Sequence, residues 1–294
     1  MNDLLKKVRK IEIKTKKLSH NIFAGQYHSA FKGKGMAFSE VREYNYGDEI
    51  RSIDWNVTAR FNHPYVKIFE EEREMTVVLI IDISGSTFFG TNKVLKSEII
   101  TEIAAVLSFS AIANNDKVGV IFFSDKVEKY IPPKKGSAHI LRIIRELLMY
   151  SDINATEQSE IQKGTSFSEP LKYFSSVIKK RATCFFITDS FGKFDDSSLR
   201  ITARKHDLSV ITVRDKREYT LPKIGLMQLK DAESDKTLWI DTNNSKQMKA
   251  FAEFRRKQDE ETEMQLKRLG IDNVTLQTND DYIKSLMKLF SSKN

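Results

Sequence analysis

The sequence predicts an α/β fold with a doubly wound, mostly parallel sheet of the Rossmann type, preceded by an N-terminal helix and a small β-rich segment. Short apolar runs typical of buried strands alternate with longer segments whose apolar residues recur at helical spacing. Strands that alternate with helices form right-handed crossover units, so neighbouring strands run parallel and helices cover both faces. The chain has 294 residues, of which 40% are hydrophobic, and this is enough to build a substantial core.

The N-terminal region differs from the rest in charge and in pattern. Residues 3–19 predict a charged amphipathic helix, and residues 20–73 carry the glycines and aromatic residues typical of short strands and turns. Residues 1–34 hold nine lysines and arginines against two acids, so this end carries +7 of the net charge of +8. A basic arm can attract nucleic acid, an anionic membrane or an acidic protein. The alternative is a solvated helix whose apolar residues pack on the body.

The predicted elements of the body follow in chain order. Predicted strands cover residues 75–82, 117–124, 182–189 and 208–213, with shorter strands at 127–131 and 237–240. Predicted helices cover residues 93–113, 140–149, 167–180, 199–205, 246–269 and 282–290. Pro132 and Pro133 are expected to end the strand before them, and residues 151–163 are expected to form a polar loop. We therefore expect residues 1–73, the helix and β-rich segment, to dock on a body formed by residues 74–294.

The composition also constrains where the protein works. Cys184 is the one cysteine, which excludes a disulfide framework, favours a reducing compartment and predicts a small buried core residue. No stretch approaches the ~20 apolar residues that span a bilayer, and the N-terminus lacks the apolar core of a signal peptide. The sequence therefore predicts a soluble, cytoplasmic protein.

Polar residues follow two of the predicted strands. Asp82-Ile83-Ser84-Gly85-Ser86 comes directly after one apolar run, Asp189 ends another, and Thr165 stands just before a predicted helix. In an open α/β sheet, ligands bind outside the carboxyl ends of the strands. Hydroxyl and carboxylate oxygens with no histidine or thiolate beside them suit a hard cation such as Mg²⁺, with Mn²⁺ as the alternative. The sequence thus predicts one metal site formed by Asp82, Ser84, Ser86, Thr165 and Asp189.

The chemistry of this set predicts an ion that still attracts anions. Ser84 and Ser86 lie two residues apart, so an extended loop can aim both hydroxyls at one point. Asp82 and Asp189 can act through bound waters or by orienting the serines. If few carboxylates bind directly, the ion keeps most of its charge, and an open position can bind a carboxylate from another protein.

These motifs together resemble the metal-ion-dependent adhesion site of von Willebrand factor A domains. Asp82-x-Ser84-x-Ser86, Gly164-Thr165 and Thr188-Asp189 fill all five expected positions, although Ser190 stands where many members have glycine. The resemblance covers about residues 75–240. It implies a von Willebrand factor A-like fold, a Mg²⁺ site and a role in binding proteins.

The segment before the body is similar to the signature of the bacterial family called domain of unknown function 58. The matching stretches run from Gly33 to Tyr44, from Tyr46 to Arg51, through Ile53-Asp54-Trp55 and Thr58-Ala59-Arg60, and from Val66 to Glu70. In that family such a segment precedes an A-type domain, and members commonly accompany a MoxR-type AAA+ ATPase, which the resemblance implies as a partner. Several relatives carry membrane segments, and none is visible here. Arginines of the signature are expected to pair with nearby acids, either as a structural clasp or as a partner-binding surface.

Three functions are compatible with these observations. The first is a non-enzymatic binding or assembly module that captures an acidic residue of a partner through Mg²⁺, while the ATPase supplies energy. The second is a Mg²⁺-dependent phosphatase or hydrolase, but Ser84 stands where a haloacid-dehalogenase-type enzyme needs its second aspartate. The chain also lacks a Gly-x-Ser-x-Gly elbow, a Walker-type lysine motif and His-Glu-x-x-His. The third is nucleic-acid binding through the basic arm, with no recognised reading module. We favour the first.

Overall fold

A computed structural model describes residues 2–18, 37–70, 74–91, 95–156, 166–189, 194–230 and 237–291. The described residues form two compact units. The first begins with helix α1 (Asn2–Leu18) and continues from residue 76 to residue 291, and the second spans residues 37–70 with 74 and 75. The expected boundary between residues 73 and 74, and the docking of the β-rich segment on the body, stay predictions.

The second unit is built on a two-stranded antiparallel sheet. Strand β1 (Ala37–Glu43) pairs with β2 (Tyr65–Glu70), and helix α2 (Trp55–Phe61) lies between them in the chain. The side chain of Asp54 caps α2 by accepting hydrogen bonds from the first backbone N–H groups of the helix. The short strands were predicted, whereas α2 was not.

An arginine of the signature pairs with an acid inside this unit, as predicted. Two nitrogens of Arg42 each lie 2.7 Å from an oxygen of Asp48, a bidentate geometry that fixes the turn between them. The hydrogen bond from Arg42 is the main reason that the pKa of Asp48 lies below its usual value. This pair favours the structural-clasp interpretation of the signature.

The first unit is organised around a six-stranded sheet. The strands that follow in the chain are β3 (Thr76–Asp82), β4 (Lys117–Phe123), β5 (Val127–Lys134), β6 (Thr183–Thr188), β7 (Asp207–Arg214), β8 (Leu226–Lys230), β9 (Thr237–Asp241) and β10 (Asp272–Gln277). Six of them form the sheet in the order β10-β7-β6-β3-β4-β5. All neighbours run parallel except β4 and β5. The predicted doubly wound, mostly parallel α/β sheet is confirmed.

Helices flank this sheet. The remaining helices are α3 (Lys96–Ala113), α4 (Ser137–Thr156), α5 (Ser168–Val177), α6 (Asp196–Lys205), α7 (Ser245–Arg268) and α8 (Tyr282–Ser291). Helix α1 packs on α3 and α4, with Val8 and Thr15 buried and Lys14 Nζ 2.6 Å from Glu102 Oε2. The predicted amphipathic helix therefore packs through its apolar face, with basic residues exposed. In the part of the chain that the structure describes, no helix is both long and apolar enough to cross a bilayer.

The burial of the sheet explains why its central strands are continuous apolar runs in the sequence. Both faces are covered, so every residue of β3 from Val77 onward is buried, as is Cys184 in β6. Phe186 lies at the centre of an aromatic cluster, with ring centroids 5.1 Å from Phe123, 5.8 Å from Phe167 and 5.3 Å from Phe194. This packing fixes the strands whose ends form the candidate site.

Two sequence predictions about the elements were wrong. Strand β5 does not end at Pro132 and Pro133 but includes both, because it is an edge strand with a register shift opposite Gly119. A Cβ on Gly119 would lie 2.9 Å from ring carbons of Pro133, so the close approach requires glycine. Helix α4 continues to Thr156 and replaces the first part of the predicted polar loop.

The sequence did not predict every strand of the C-terminal part. The short strand predicted at residues 237–240 is confirmed as β9, which pairs with β8 in an antiparallel hairpin separate from the main sheet. The edge position beside β7 belongs to β10, which was not predicted. Its sequence, Asp-Asn-Val-Thr-Leu-Gln, contains two apolar residues and lacks the run that identifies a central strand.

The strand order positions a site. The chain leaves β3 toward β4 and β5 on one side of the sheet, and it leaves β6 toward β7 and β10 on the other. Strands β3 and β6 are therefore the neighbours at which the order of the sheet reverses. In open α/β sheets, the crevice outside the carboxyl ends of two such strands is where ligands bind.

Candidate metal centre

Asp82 is the buried base of the site at the end of β3. Asp82 is 1% exposed, and its Oδ1 accepts a hydrogen bond of 2.9 Å from the backbone N–H of Ser84. Its other oxygen, Oδ2, accepts a hydrogen bond of 2.6 Å from the hydroxyl of Thr188 at the end of β6. Asp82 thus holds the serine loop and the neighbouring strand end in fixed positions.

Two serines and Asp189 form a chain of oxygens above this base. Ser84 Oγ lies 3.0 Å from Ser86 Oγ, and Ser86 Oγ donates a hydrogen bond of 3.0 Å to Asp189 Oδ1. The loop is shaped by a short 3-10 turn, in which the hydroxyl of Thr87 donates to the backbone oxygen of Ser84 at 2.7 Å. Ser84 and Asp189 are buried, whereas Ser86 is half-buried.

Four of the five predicted site residues therefore lie together at the carboxyl ends of β3 and β6. The fifth, Thr165, lies outside the described residues. The residue after it, Ser166, donates its backbone N–H to the backbone oxygen of Ser124 at 3.2 Å, directly after the end of β4. Since β4 is the neighbour of β3, the described chain resumes at the same end of the sheet.

A lysine that the sequence analysis did not single out completes the site. Lys96, the first residue of α3, is 1% exposed, and its Nζ lies 2.5 Å from Asp189 Oδ2 and 2.7 Å from Glu218 Oε1. Burial lowers the pKa of Lys96, but the charges of Asp189 and Glu218 outweigh burial and raise it overall. The amine is therefore an ammonium, and it neutralises part of the acidic charge of the site.

The environment of Asp82 favours a cation nearby. Burial, and then the negative charge of Asp189, raise the pKa of Asp82 to about 7. A carboxyl group whose pKa is raised in this way ionises more easily when positive charge is added next to it. A cation beside Asp82 would favour its ionised form.

A second buried cation holds the backbone of the site. Arg214, at the end of β7, donates to the backbone oxygen of Asp189 and pairs with Asp259 of α7, with Nη2 2.7 Å and Nε 3.0 Å from Asp259 Oδ1. Tyr219 also donates its hydroxyl to Asp259. Burial is the main reason that the pKa of Tyr219 lies above its usual value, so this hydroxyl keeps its proton. Asp189 is therefore held at two points, since Arg214 binds its backbone oxygen and Lys96 binds its carboxylate.

The oxygens fit a hard divalent ion. Mg²⁺ binds six oxygens at about 2.0–2.1 Å in near-octahedral geometry, so neighbouring ligands lie about 2.9 Å apart. The separations of 3.0 Å between Ser84 and Ser86 and between Ser86 and Asp189 match this spacing. A hydrogen bond has the same length, so the geometry permits the ion without requiring it. Ser84, Ser86 and Asp189 would hold Mg²⁺ or Mn²⁺ directly or through water, and Asp82 would orient them.

The site is unlike metal centres built from histidine, cysteine and several acids. Within the described ranges, no group of three or more such side chains comes together to hold a metal. His139 lies 2.9 Å from the backbone oxygen of Val118, and His206 packs on Phe174, so neither belongs to the site. Hydroxyl oxygens are what make the candidate centre, and the Asp-x-Ser-x-Ser motif is the signal that identifies it.

Sequence reasoning missed Lys96, Arg214 and Glu218. A signal was present for the first, since Lys96 stands three, four and seven residues before Ile99, Ile100 and Ile103, on the buried face of α3. Lysine on an apolar face needs a partner, because a charged side chain is almost never buried alone. No comparable pattern marks Arg214 or Glu218, whose roles depend on the meeting of β7 with α7 and α3.

Comparison with known proteins gives two kinds of similarity. An uncharacterized protein of Mycobacterium tuberculosis, Rv1480, is 26% identical over 228 residues, which is 77% of this chain and 70% of the relative. The uncharacterized protein YeaD of Bacillus subtilis is 26% identical over 122 residues, which is 42% of this chain and 27% of the length of YeaD. Neither name states a function.

Solved structures are similar at low identity. The conserved hypothetical protein BatB of Bacteroides thetaiotaomicron matches with a TM-score of 0.42 and 15% identity, over 74% of this chain and 98% of its own. The VWA domain of SpRpn10 matches with a TM-score of 0.31 and 11% identity, over 48% of this chain and 75% of its own. Neither score supports an inference about function.

The family match covers most of the chain. The family described as "Protein of unknown function DUF58" matches residues 40–261, which include most of the β-rich segment, five of the six strands of the main sheet and the candidate centre. This confirms the resemblance found in residues 33–70. The chain therefore belongs to the DUF58 family of proteins of unknown function.

Proposed function

We propose that this chain is a non-enzymatic protein-binding or assembly module that uses a divalent ion to capture an acidic residue of a partner. The ion is Mg²⁺, with Mn²⁺ as the alternative, and the ligand set is Ser84, Ser86, Thr165 and Asp189, oriented by Asp82. The observation that carries the proposal is the chain of three oxygens at the switch point between β3 and β6. A bound ion would supply positive charge to which an outside carboxylate can bind.

The residues around the oxygens support this use. The two hydroxyls are neutral, and Asp82 lies behind them, where it accepts from Ser84 N–H and from Thr188. The charge of Asp189 is shared with Lys96. Little negative charge therefore faces outward from the site, and a partner carboxylate meets no strong repulsion there.

The non-enzymatic assignment rests on what surrounds the serines. The Ser86 hydroxyl lies between Ser84 and Asp189, and the two described histidines of the first unit, His139 and His206, contact Val118 and Phe174 and not the serines, so neither is placed to act as their general base. The alternative is tested with a generic phosphoester. Mg²⁺-dependent hydrolysis that disappears in Asp82→Ala would establish an enzyme and overturn the proposed module.

The proposed partner comes from the resemblance to the family and not from the fold. A MoxR-type AAA+ ATPase would offer the acidic residue, or would supply the energy to load or release another acidic protein. Energy from such a motor would serve to separate a tightly bound partner, because differences in affinity between related complexes lie mostly in the dissociation rate.

The test is a capture experiment with the MoxR-type ATPase of the same organism as bait. Wild type is expected to bind it in Mg²⁺ and to lose it in EDTA. Ser84→Ala with Ser86→Ala removes the two hydroxyls, so the fold should remain and Mg²⁺-dependent capture should disappear. Ser176→Ala with Ser291→Ala is the matched control, since both hydroxyls only donate to backbone oxygens in their own helices. Equal capture in EDTA would contradict the proposal.

A further inference from the structure

Lys96 has an unusual environment for a lysine. It is among the largest fully buried side chains in the described structure, at 1% exposure. Its Nζ lies between Asp189 Oδ2 at 2.5 Å and Glu218 Oε1 at 2.7 Å, and 5.7 Å from the ring centroid of Phe89. A buried ammonium requires compensating charges, so these acids hold it in place.

The two oxygens of Asp189 have different partners. Oδ1 accepts from Ser86, on the side of the serine hydroxyls, while Oδ2 faces Lys96. The same carboxylate is therefore shared between the candidate metal site and an ammonium that belongs to the chain itself. A divalent ion at the serines would meet a carboxylate whose charge is already partly neutralised, and it would be repelled by the ammonium.

Glu218 modulates this effect from the other side. Its Oε1 binds Lys96, while its Oε2 accepts the backbone N–H of Asp215 at 2.8 Å, so its orientation is fixed. The carboxylate draws part of the ammonium's charge away from Asp189. Lys96 and Glu218 therefore act on Asp189 with opposite signs.

We infer that Lys96 is a built-in counter-ion that weakens the site's hold on a divalent ion and so leaves the charge of that ion available to an outside carboxylate. This inference rests on the proposed function. Lys96 is a positioning residue, since it acts through Asp189 and not by contact with the partner. A purely structural ion pair would make the opposite prediction, because removing it would loosen Asp189 and weaken metal binding.

The experiment measures Mn²⁺ affinity by electron paramagnetic resonance of the free ion, using the full chain and no partner. Lys96→Met removes the ammonium and is expected to tighten Mn²⁺ binding by about tenfold or more. Glu218→Gln removes one of the two negative charges beside the ammonium, so the positive charge of Lys96 acts more strongly on Asp189. This variant is expected to weaken Mn²⁺ binding several-fold. Lys172→Met is the matched control, because it removes one positive charge from an exposed ion pair with Glu169 on α5, and it should change nothing.

The outcomes separate this inference from the proposed function. Folded Lys96→Met with equal or weaker Mn²⁺ affinity overturns the inference. If that variant does not fold, Glu218→Gln decides alone, and an affinity equal to wild type overturns the inference. Capture of the partner in EDTA overturns the proposed function, whatever the Mn²⁺ affinities are. Failure of wild type and all variants to bind Mn²⁺ overturns both.

Discussion

The hydroxyl of Thr188 donates a buried hydrogen bond of 2.6 Å to Asp82, 106 residues earlier in the chain. It joins the carboxyl ends of β6 and β3, the two strands at which the sheet order reverses. The candidate centre is built on this link, because Asp82 in turn fixes Ser84 and Asp189 follows Thr188 directly. The geometry of the centre is thus a consequence of the topology of the sheet.

Replacing Thr188 with valine should therefore affect both stability and metal binding. Valine has the shape of threonine without the donor, so Asp82 loses a buried hydrogen bond, at a cost of about 1–3 kcal/mol in the free energy of unfolding. Urea denaturation measures the loss, and Mn²⁺ titration should show weaker binding. Thr188→Ser keeps the hydroxyl and is the control. A valine variant as stable as wild type would show that the link is not important.

The aromatic cluster beneath the site should dominate the stability of the sheet. Phe186→Ala leaves a cavity among Phe123, Phe167 and Phe194 and is expected to cost about 3–5 kcal/mol, measured by urea denaturation. Ile201→Ala is the control, because Ile201 is 61% exposed on α6 and its loss should change stability by less than about 0.5 kcal/mol. Equal effects in the two variants would contradict the central position of β6.

The central strands could be predicted because burial on both faces produces apolar runs that few other structures explain. Strands β3, β4, β6 and β7 were found for this reason. Strand β10 was missed because an edge strand needs only alternate apolar residues, and β5 was cut short because edge strands tolerate proline. Pairing partners such as β8 and β9 depend on tertiary contacts that local pattern does not contain.

The candidate site likewise contains residues that could be predicted from the sequence and residues that could not. Asp82, Ser84, Ser86 and Asp189 could be predicted because each follows a recognisable strand, and strand ends meet at one side of a parallel sheet. Lys96 and Arg214 contact Asp189 from two other elements, and Glu218 acts on it only through Lys96. Their convergence is set by how α3 packs against the end of β7 and the short 3-10 turn Lys216–Glu218 that follows it, and no spacing in the sequence encodes it.

His206 should make the fold sensitive to acid. Burial, and then the charges of Lys205 and Arg181, lower its pKa to about 4, and its ring nitrogens have no hydrogen-bond partner among the described residues. The folded protein thus binds this proton less readily than the unfolded chain, whose histidine pKa is about 6.5. The contribution of neutral His206 is complete above that pH and is lost as the pH falls toward 4.

Replacing His206 with phenylalanine should remove this part of the acid sensitivity. The difference in unfolding free energy between variant and wild type is expected to shift in favour of the variant by about 1–2 kcal/mol from pH 8 to pH 4. Urea denaturation at both pH values measures it. The comparison at pH 8 is the internal control, since the imidazole is neutral there. A difference that does not change with pH would show that His206 is not the titrating group.

Helix α1 should be a structural part of the first unit. Removing residues 2–18 exposes the surface of α3 and α4 that Val8 and Thr15 cover, and should lower the free energy of unfolding by about 2 kcal/mol or more. Reversing three exposed charges, by Lys6→Glu, Arg9→Glu and Lys10→Glu, should leave stability within about 0.5 kcal/mol of wild type. Equal stability of the deletion variant would show that α1 is a dispensable arm.

The charge-reversed variant also tests nucleic-acid binding. Capture of the acidic partner should be unchanged in it, because the proposed ligands lie at the ends of β3 and β6. If wild type binds single-stranded DNA with a steep salt dependence, and the variant does not, the basic helix has a nucleic-acid function of its own.

The proposal as a whole depends on a divalent ion lying among the oxygens of Ser84, Ser86 and Asp189. Anomalous diffraction from crystals soaked in Mn²⁺ locates such an ion directly. We expect a peak at about 2.1 Å from Ser84 Oγ and Ser86 Oγ, with Asp189 bound directly or through water. A peak elsewhere, or none between these hydroxyls at millimolar Mn²⁺, would contradict the metal-dependent capture proposed for this protein.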